Sequence, residues 1–171
     1  MVEGFRERYF LRRRVDTEQQ RTNFRASRVA LDLRRGPQRT DGRAGDWWAT
    51  TAFIPDQDGF APAGAVGTVL VTGGPGRMRI TDCYVTSWDD HFVARDGECN
   101  VTGTVALRTL GFLLDKQGAA LASRAGLGSS PLYRCFDNST KNHAVSLDKQ
   151  CDGRGKTEFV LGYTMTRSQG R

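Results

Sequence analysis

Short apolar runs alternate with turn residues along most of the chain, and this pattern predicts β-strands. The segments MRITDCYV (78–85), HFVA (91–94) and ALRTLGFLL (106–114) are short and rich in β-branched or aromatic residues. The stretches TGGPG (72–76) and RDG (95–97) carry the glycine, proline and aspartate that are typical of turns. We therefore expect an all-β protein.

The same order of segments returns 52 residues later. PLYRCFD (131–137), HAVS (143–146) and EFVLGYTMT (158–166) occupy the corresponding places. In both passages a histidine follows the first cysteine by eight residues and a second cysteine follows it by sixteen. These matching markers are Cys83 with Cys135, His91 with His143, and Cys99 with Cys151. So many markers in register indicate a true internal repeat.

A third, degenerate copy is indicated upstream. AVGTVL (65–70) resembles TLGFLL (109–114), and this match places DWWATTA (46–52) opposite DHFVARD (90–96). Trp47 then stands where the other two copies have histidine. The positions that would hold cysteines carry other residues, so the first copy lacks both cysteines together.

Three such copies would each leave an apolar face and open sheet edges, which the neighbouring copies must cover. We expect one closed, pseudo-threefold repeat domain with a β-trefoil-like architecture over residues 29–171. Its copies are approximately residues 29–72, 73–118 and 128–167. Residues 115–128, between the second and third copies, form a short helix or a loop. Residues 1–28 form a basic N-terminal arm that is helical or disordered.

Positive charge is concentrated near the N-terminus. The formal net charge is +6, and twelve arginines lie between Arg6 and Arg43. Such an arm suits a polyanion or an anionic lipid surface, although a solvated arm without a partner has the same composition. No segment reaches the length of about 18 apolar residues that a membrane-spanning helix needs. The N-terminus also lacks the apolar core of a secretory signal.

Four cysteines in two equal intervals suggest disulfide bonds. Zinc sites built from thiolates normally use close pairs of ligands, and intervals of 16, 36 and 16 residues contain no such pair. Pairing of Cys83 with Cys99 and of Cys135 with Cys151 is favoured because the first copy lacks both cysteines; the other two connectivities stay open. Each bond would contribute about 3 kcal/mol of stability. Because disulfides persist in oxidising compartments, we expect a secreted protein.

Residues 78–166 resemble a bacterial secreted repeat module of poorly characterised function. That repeat has an opening Leu-Tyr-Arg, a central Asp-His-Phe and a closing Gly-Tyr, and some actinobacterial versions carry paired cysteines. The matching residues are Leu132, Tyr133, Arg134, His143, Glu158, Gly162 and Tyr163 in the third copy and Asp90, His91 and Phe92 in the second. The departures are Asn142 and Ala144 in the third copy and Trp47 and Trp48 in the first. The resemblance implies a noncatalytic, lectin-like extracellular module of the kind often appended to secreted hydrolases.

Aromatic faces stack on sugar rings, and carboxylates and amides bind sugar hydroxyls. The predicted ligand-binding residues are Trp88, Asp89, Asp90 and His91 in one site, Asn142 and His143 in a second, and Asp46 and Trp47 at the corresponding place in the first copy. We expect Trp88, Asp89 and Asp90 to be exposed at a turn, and one of Trp47 and Trp48 to face the core. The alternative is a structural role for both histidines, each hydrogen-bonded to a turn of its own copy.

No catalytic motif accompanies these residues. The chain contains no nucleophile elbow, phosphate-binding loop or zinc-protease signature, and TGGPGRM (72–78) reads as a tight turn. Equivalent positions of a pseudo-threefold fold should lie far apart, which disfavours a shared metal or catalytic site. We expect a noncatalytic binding module without cofactor or metal, recognising a cell-surface or cell-wall glycan. The alternatives are a protein adaptor whose basic arm docks a partner and, less favoured, a nucleic-acid or polyanion binder.

Overall fold

The computed structural model describes residues 28–39, 42–51 and 59–166. Within them the chain is mostly antiparallel β-sheet, which confirms the predicted all-β class. The predicted basic arm, apart from Arg28, lies outside the described residues.

The described residues form nine β-strands and one α-helix. The strands are β1 (Arg28–Arg35), β2 (Trp47–Thr50), β3 (Ala61–Leu70), β4 (Arg77–Val85), β5 (Asp90–Arg95), β6 (Thr104–Leu114), β7 (Ser129–Asp137), β8 (Asn142–Ser146) and β9 (Lys156–Met165). The helix α1 spans Lys116–Arg124, and a single 3-10 turn spans Cys151–Gly153. The positions of the strands follow the β-branched and aromatic runs of the sequence.

Consecutive strands fall into three triplets, which we call unit 1 (β1–β3), unit 2 (β4–β6) and unit 3 (β7–β9). In each unit the first strand pairs antiparallel with both the second and the third. In units 2 and 3 the pairing of first and third strands shifts register at two places. Such shifts bend a strand and increase its twist.

The third strands of the units meet one another. Leu70 of β3 pairs with Phe112 of β6, and Leu114 of β6 pairs with Tyr163 of β9. Thr164 Oγ1 donates a hydrogen bond to the Thr68 carbonyl at 2.7 Å and accepts one from the Thr68 amide at 2.7 Å, so β9 also reaches β3. The main core lies behind this junction and consists of Leu31, Leu33, Ala49, Val69, Ile80, Val93, Leu110, Leu113, Leu132, Val145 and Leu161.

The segment between units 2 and 3 is helical, which settles the expectation of a helix or a loop over residues 115–128. Asp115 caps the helix by accepting a hydrogen bond from the Gly118 amide at 2.7 Å, because the first amides of a helix have no partner within it. Ala122 and Ala125 pack in a second apolar cluster with Leu70, Leu114, Leu127 and Met165. The helix thereby covers the sheet beside the junction of the third strands.

Two disulfide bonds join Cys83 to Cys99 and Cys135 to Cys151, which confirms the predicted pairing. Each bond links the first strand of its unit to the segment that follows the second strand, and all four cysteines are buried. Two such bonds are typical of an oxidising, extracellular environment. Within the described residues, no helix has the length and apolarity that crossing a membrane requires.

Candidate functional site

Three buried polar side chains connect the units at the start of their second strands. Asp46 Oδ2 accepts a hydrogen bond from the His91 amide at 3.0 Å, and Asp90 Oδ1 accepts one from the His143 amide at 2.7 Å. Asn142 Nδ2 returns to unit 1, donating to the carbonyls of residues 44 and 45 at 3.2 Å each. We call Asp46, Asp90 and Asn142 the inter-unit residues, since each satisfies a backbone group of the next unit.

The burial of Asp90 contradicts the expectation that it is exposed. Trp88 and Asp89 are exposed as expected, whereas Asp90 is 0% exposed. Asp89 has a left-handed backbone conformation with φ of 52°, which ends the turn and lets Asp90 begin β5. A buried carboxylate needs hydrogen-bond donors, and the amide and ring of His143 provide them.

The two sites predicted around the histidines are not separate. Strand β5 packs against β8, and Asp90 Oδ2 lies 2.5 Å from His143 Nδ1. The second strands of the units converge, so Asp90 of one predicted site contacts His143 of the other. His143 departs from the expected structural role within its own copy, since Asp90 belongs to the preceding unit. His91 Nδ1 lies 3.2 Å from Asp82 Oδ1 of its own unit, but Asp82 lies on strand β4 and not on a turn.

His143 is enclosed on all sides by its neighbours. Its Nε2 lies 3.6 Å from Glu158 Oε2, and its ring is tilted against Phe92 and Phe136 at centroid distances of 5.2 and 4.6 Å. The side chain is 10% exposed. Both ring nitrogens thus face carboxylates of the protein, which indicates a structural role.

His91 is fixed in place, but one of its ring nitrogens has no hydrogen-bond partner among the described residues. Its ring stacks on Trp48 at 4.8 Å and tilts against Tyr84 at 5.0 Å. Asp82, which receives the Trp48 Nε1 hydrogen bond at 2.7 Å, also faces His91 Nδ1. No group in the described part of the chain hydrogen-bonds His91 Nε2. Because Asp82 and the two rings fix the imidazole, Nε2 is held in one orientation.

A cleft of about 670 Å³ lies beside His91, between units 1 and 2. Its described lining comprises Gly36, Pro37, Gln38, Arg39, Arg43, Asp46, Phe60, Tyr84, Asp89, His91 and Leu107. The volume falls within the range of about 300–1,000 Å³ that is usual for ligand sites. Aromatic rings and charged groups are both present, so the cleft can hold a ligand with an apolar face and polar edges.

The cleft exists because one loop differs between the units. The turn of unit 2 that precedes β5 is short, and its Trp88 stacks on Phe136 of unit 3 at 5.9 Å. Phe136 pairs in register with His143 as Tyr84 does with His91. The corresponding loop of unit 1, residues 36–46, is longer and contains no aromatic residue. Trp88 covers Phe136 at the junction of units 2 and 3. No aromatic residue of the unit 1 loop covers Tyr84, the counterpart of Phe136, so the face beside Tyr84 is open among the described residues.

Arg39 holds the loop of unit 1 against the turn of unit 2. Its guanidinium donates to the Trp88 carbonyl at 2.6 Å, to the Asp89 carbonyl, and to Asn142 Oδ1 at 2.9 Å. The Arg39 side chain is only 8% exposed, and its Nε is buried without a hydrogen-bond partner in the described residues. The positive charge of this guanidinium thus lies beside the cleft, in a setting that water screens weakly.

Two groups of the cleft have raised pKa values. Burial, followed by the nearby charge of Asp90, raises the pKa of Asp46 to about 8 from its ordinary value of 3.8. The hydrogen bond from Tyr84 to Asp89, 2.7 Å long, is the main cause that raises the pKa of Tyr84 to about 12. Both side chains are therefore mainly neutral near pH 7, and Arg39 and Arg43 outweigh the charge of Asp89.

Replacing Asp46 with asparagine is expected to flatten the pH dependence of stability. The folded pKa lies above the unfolded one, so the folded state holds a proton that the unfolded state releases between about pH 4 and about pH 8. The stability that this proton contributes is complete below the unfolded pKa and is lost as the pH rises through the folded pKa. Above about pH 8 the Asp46→Asn variant should therefore exceed the parent by on the order of a few kcal/mol.

Urea denaturation of the parent and the Asp46→Asn variant at about pH 5, 7 and 9 measures this difference. Asparagine is a suitable replacement because Asn142 holds the corresponding place in unit 3. A difference in unfolding free energy that is the same at all three pH values would contradict the assignment.

The predicted site residues divide into three groups. Asp46, Asp89 and His91 line the cleft, whereas Asp90, Asn142 and His143 are buried among the contacts between units. Trp88 is exposed and is not among the described residues of the cleft lining. Trp47 packs on the core, as was expected for one of the two tryptophans, with Arg35 and Arg154 each 4.8 Å from its ring.

Sequence reasoning missed most residues of the cleft, among them Arg39, Phe60 and Tyr84. Arg39 was included only among the arginines near the N-terminus, Phe60 was not considered, and Tyr84 was only part of a predicted strand. A signal existed for Tyr84, because Phe136 repeats an aromatic residue one position after the cysteine of the next copy. No sequence signal showed that Arg39 reaches the turn before β5.

Comparison of the chain with protein-family models, with curated proteins and with solved structures finds no match in any of the three. Among the side chains that the structure describes, no group of three or more His, Cys, Asp or Glu residues is arranged to hold a metal ion. The chemistry of the cleft is accordingly inferred from its own geometry.

Proposed function

We propose that the chain is a noncatalytic extracellular binding module, lectin-like in function, and that the cleft between units 1 and 2 binds a cell-surface or cell-wall glycan. The three units would form a pseudo-threefold, β-trefoil-like repeat domain. The disulfide bonds suit the extracellular setting that such a ligand requires. This cleft replaces the separate histidine sites that the sequence alone suggested.

The observation that carries the proposal is the open aromatic face beside Tyr84 and His91. At the junction of units 2 and 3 the corresponding face is covered by the flat indole of Trp88. A pyranose ring offers a flat apolar face of similar breadth, and sugars stack on aromatic rings in this way. Asp89, Gln38 and Arg43 lie around the opening, where they can bind ring hydroxyls.

Tyr84→Ala is expected to weaken glycan binding by at least about tenfold, since it removes the stacking face. Trp88→Ala is the matched control, because it removes an exposed aromatic ring outside the described cleft and should change the affinity less than about twofold. Binding of the oxidised full chain to a panel of oligosaccharides, followed by calorimetry on the best ligand, measures both effects.

Circular dichroism and a thermal melt establish that each variant is folded. Asp89→Asn provides a second, less disruptive change in the cleft, because asparagine tolerates the left-handed conformation. Loss of binding in Trp88→Ala but not in the two cleft variants would contradict the proposal. Binding of no oligosaccharide in the panel would also contradict it and would favour a protein partner.

A further inference from the structure

The two histidines differ in what faces their Nε2 atoms. His143 Nε2 faces the Glu158 carboxylate at 3.6 Å. Glu158 lies between Thr157 and Phe159, where the pairing of β7 with β9 shifts register. In unit 2 the same shift falls between Ala106 and Arg108, so Leu107 occupies the place of Glu158.

Because unit 2 has Leu107 where unit 3 has Glu158, His91 lacks the neighbouring carboxylate that His143 has. Leu107 is 47% exposed and lines the cleft together with His91. No carboxylate of the described residues lies within ion-pair distance of His91 Nε2, whereas Nδ1 has Asp82. The cleft therefore contains His91, the counterpart of His143, but Leu107 in place of a counterpart of Glu158.

The remaining charges of the cleft also favour an anion. Among the described lining residues, Arg39 and Arg43 are the cations, and the carboxyl groups are those of Asp89 at the edge and of Asp46, whose pKa burial raises to about 8. Asp89 is partly neutralised, because its Oδ2 lies 3.8 Å from Arg39 Nε and its Oδ1 accepts the Tyr84 hydroxyl. A ligand that brings one negative charge would complement this lining.

We infer that the glycan bound in the cleft is acidic, and that the carboxylate of a uronic-acid residue takes the place beside His91 Nε2 that Glu158 holds beside His143. The inference rests on the proposed glycan-binding function and adds the class of sugar. Leu107 provides the apolar wall against the sugar ring, and the arginines add attraction for its charge.

The presence or absence of a proton on His91 Nε2 determines which ligand atom it can bind. The Asp82 carboxylate accepts from Nδ1, so neutral His91 presents Nε2 as an acceptor and protonated His91 presents it as a donor. A carboxylate ligand prefers the protonated form, whereas a sugar hydroxyl is satisfied by the neutral form. The charged and titratable groups around His91 are Asp82 and Tyr84 on β4, Arg108 on β6, Asp46 before β2, Asp89 before β5 and Arg39 in the loop of unit 1.

The test uses two substitutions of Leu107 that differ only in charge. Leu107→Glu places in unit 2 the carboxylate that unit 3 has, so it should occupy His91 Nε2, repel the ligand and weaken uronate binding by about tenfold or more. Leu107→Gln has the size of glutamate without its charge. Both variants lose the apolar wall, so the effect of the charge is the difference between them, and Leu107→Gln should bind the uronate at least about tenfold more tightly than Leu107→Glu. The Leu107 side chain is 47% exposed and outside the main core, so neither change disturbs that core.

The probes are oligogalacturonate and oligoglucuronate, their methyl esters, neutral oligosaccharides, and dextran sulfate, each measured at the same low and high ionic strengths. We expect a uronate to bind at least about tenfold more tightly than its ester and to lose affinity in Leu107→Glu. His91→Gln, which removes the imidazole beside the expected carboxylate, should reduce this preference for the acid over the ester.

The outcomes separate the inference from the proposed function. Equal binding of acid and ester, or preference for a neutral oligosaccharide, overturns the acidic-sugar inference and leaves glycan binding in place. Equal effects of Leu107→Glu and Leu107→Gln also overturn it. Binding of dextran sulfate as tight as that of the uronates, with a steep loss in salt, shows charge attraction without sugar recognition and overturns both. Absence of binding to every oligosaccharide overturns the proposed function itself.

Discussion

Replacing Asp90 with alanine is expected to lower the free energy of unfolding by about 3–5 kcal/mol. Asp90 is fully buried and accepts two hydrogen bonds from His143, one from its amide and one from its ring. Alanine removes both acceptors, and the donors of His143 remain buried with no partner of equal quality. The effect should be large because it breaks the connection between units 2 and 3.

Urea denaturation of the parent, Asp90→Ala and two further variants measures this loss. Asp90→Asn should be milder, because its amide oxygen can still accept from the His143 amide. Asp89→Asn changes an exposed neighbour with a similar charge and should stay within about 0.5 kcal/mol of the parent. A loss in Asp90→Ala no greater than that in Asp89→Asn would contradict the role of the inter-unit residues.

Removing the disulfide bond of unit 3, by Cys135→Ala together with Cys151→Ala, is expected to lower the free energy of unfolding by about 3 kcal/mol. The bond closes a loop with a sequence separation of 16, so its loss returns conformational freedom to the unfolded chain. Both sulfur atoms are buried, and alanine also leaves small cavities beside Ala144 and Tyr133.

The double variant is compared with the parent by denaturation with and without a reducing agent. The reductant should destabilise the parent more than the variant, which keeps only the bond of unit 2. Alkylation of the native parent should modify no cysteine, because both pairs are joined. Quantitative alkylation before unfolding, or a double variant as stable as the parent, would contradict a stabilising role for the bond.

The elements that depend on local sequence could be predicted. Alternating apolar residues and turn signals predicted the all-β class. The absence of both cysteines from the first copy favoured the pairs Cys83 with Cys99 and Cys135 with Cys151. Both features follow from residues that are near one another in the chain. The matching positions of His91 and His143 likewise follow from the repeat, since each pairs with an aromatic residue of the preceding strand.

The contacts between units could not be predicted in this way. Asp90 was expected at the surface because Trp-Asp-Asp reads as a turn, but its burial depends on His143, 53 residues away. Arg39 reaches the carbonyl of Trp88, 49 residues ahead, through a loop whose sequence has no strand or helix signal. These contacts exist only after the second strands converge, so no local pattern reveals them.

Comparison of the three units explains both the contacts that join them and the position of the cleft. Buried polar residues at the start of the second strands are common to all three units and serve the fold. The loop before β2 and the residue at position 107 differ from their counterparts, and both differences fall on the cleft. A binding site is most readily accommodated where units with the same strand pairing differ, because the shared strands support the loops that vary.

A nuclear magnetic resonance titration of the isotopically labelled, oxidised full chain with the best oligosaccharide tests the binding cleft most directly. We expect chemical-shift changes to concentrate on Gln38, Tyr84, Asp89, His91 and Leu107, and the signals of Trp88 and His143 to change little. Changes centred on Trp88 and Lys141, or spread over exposed arginines and removed by salt, would contradict a glycan site between units 1 and 2.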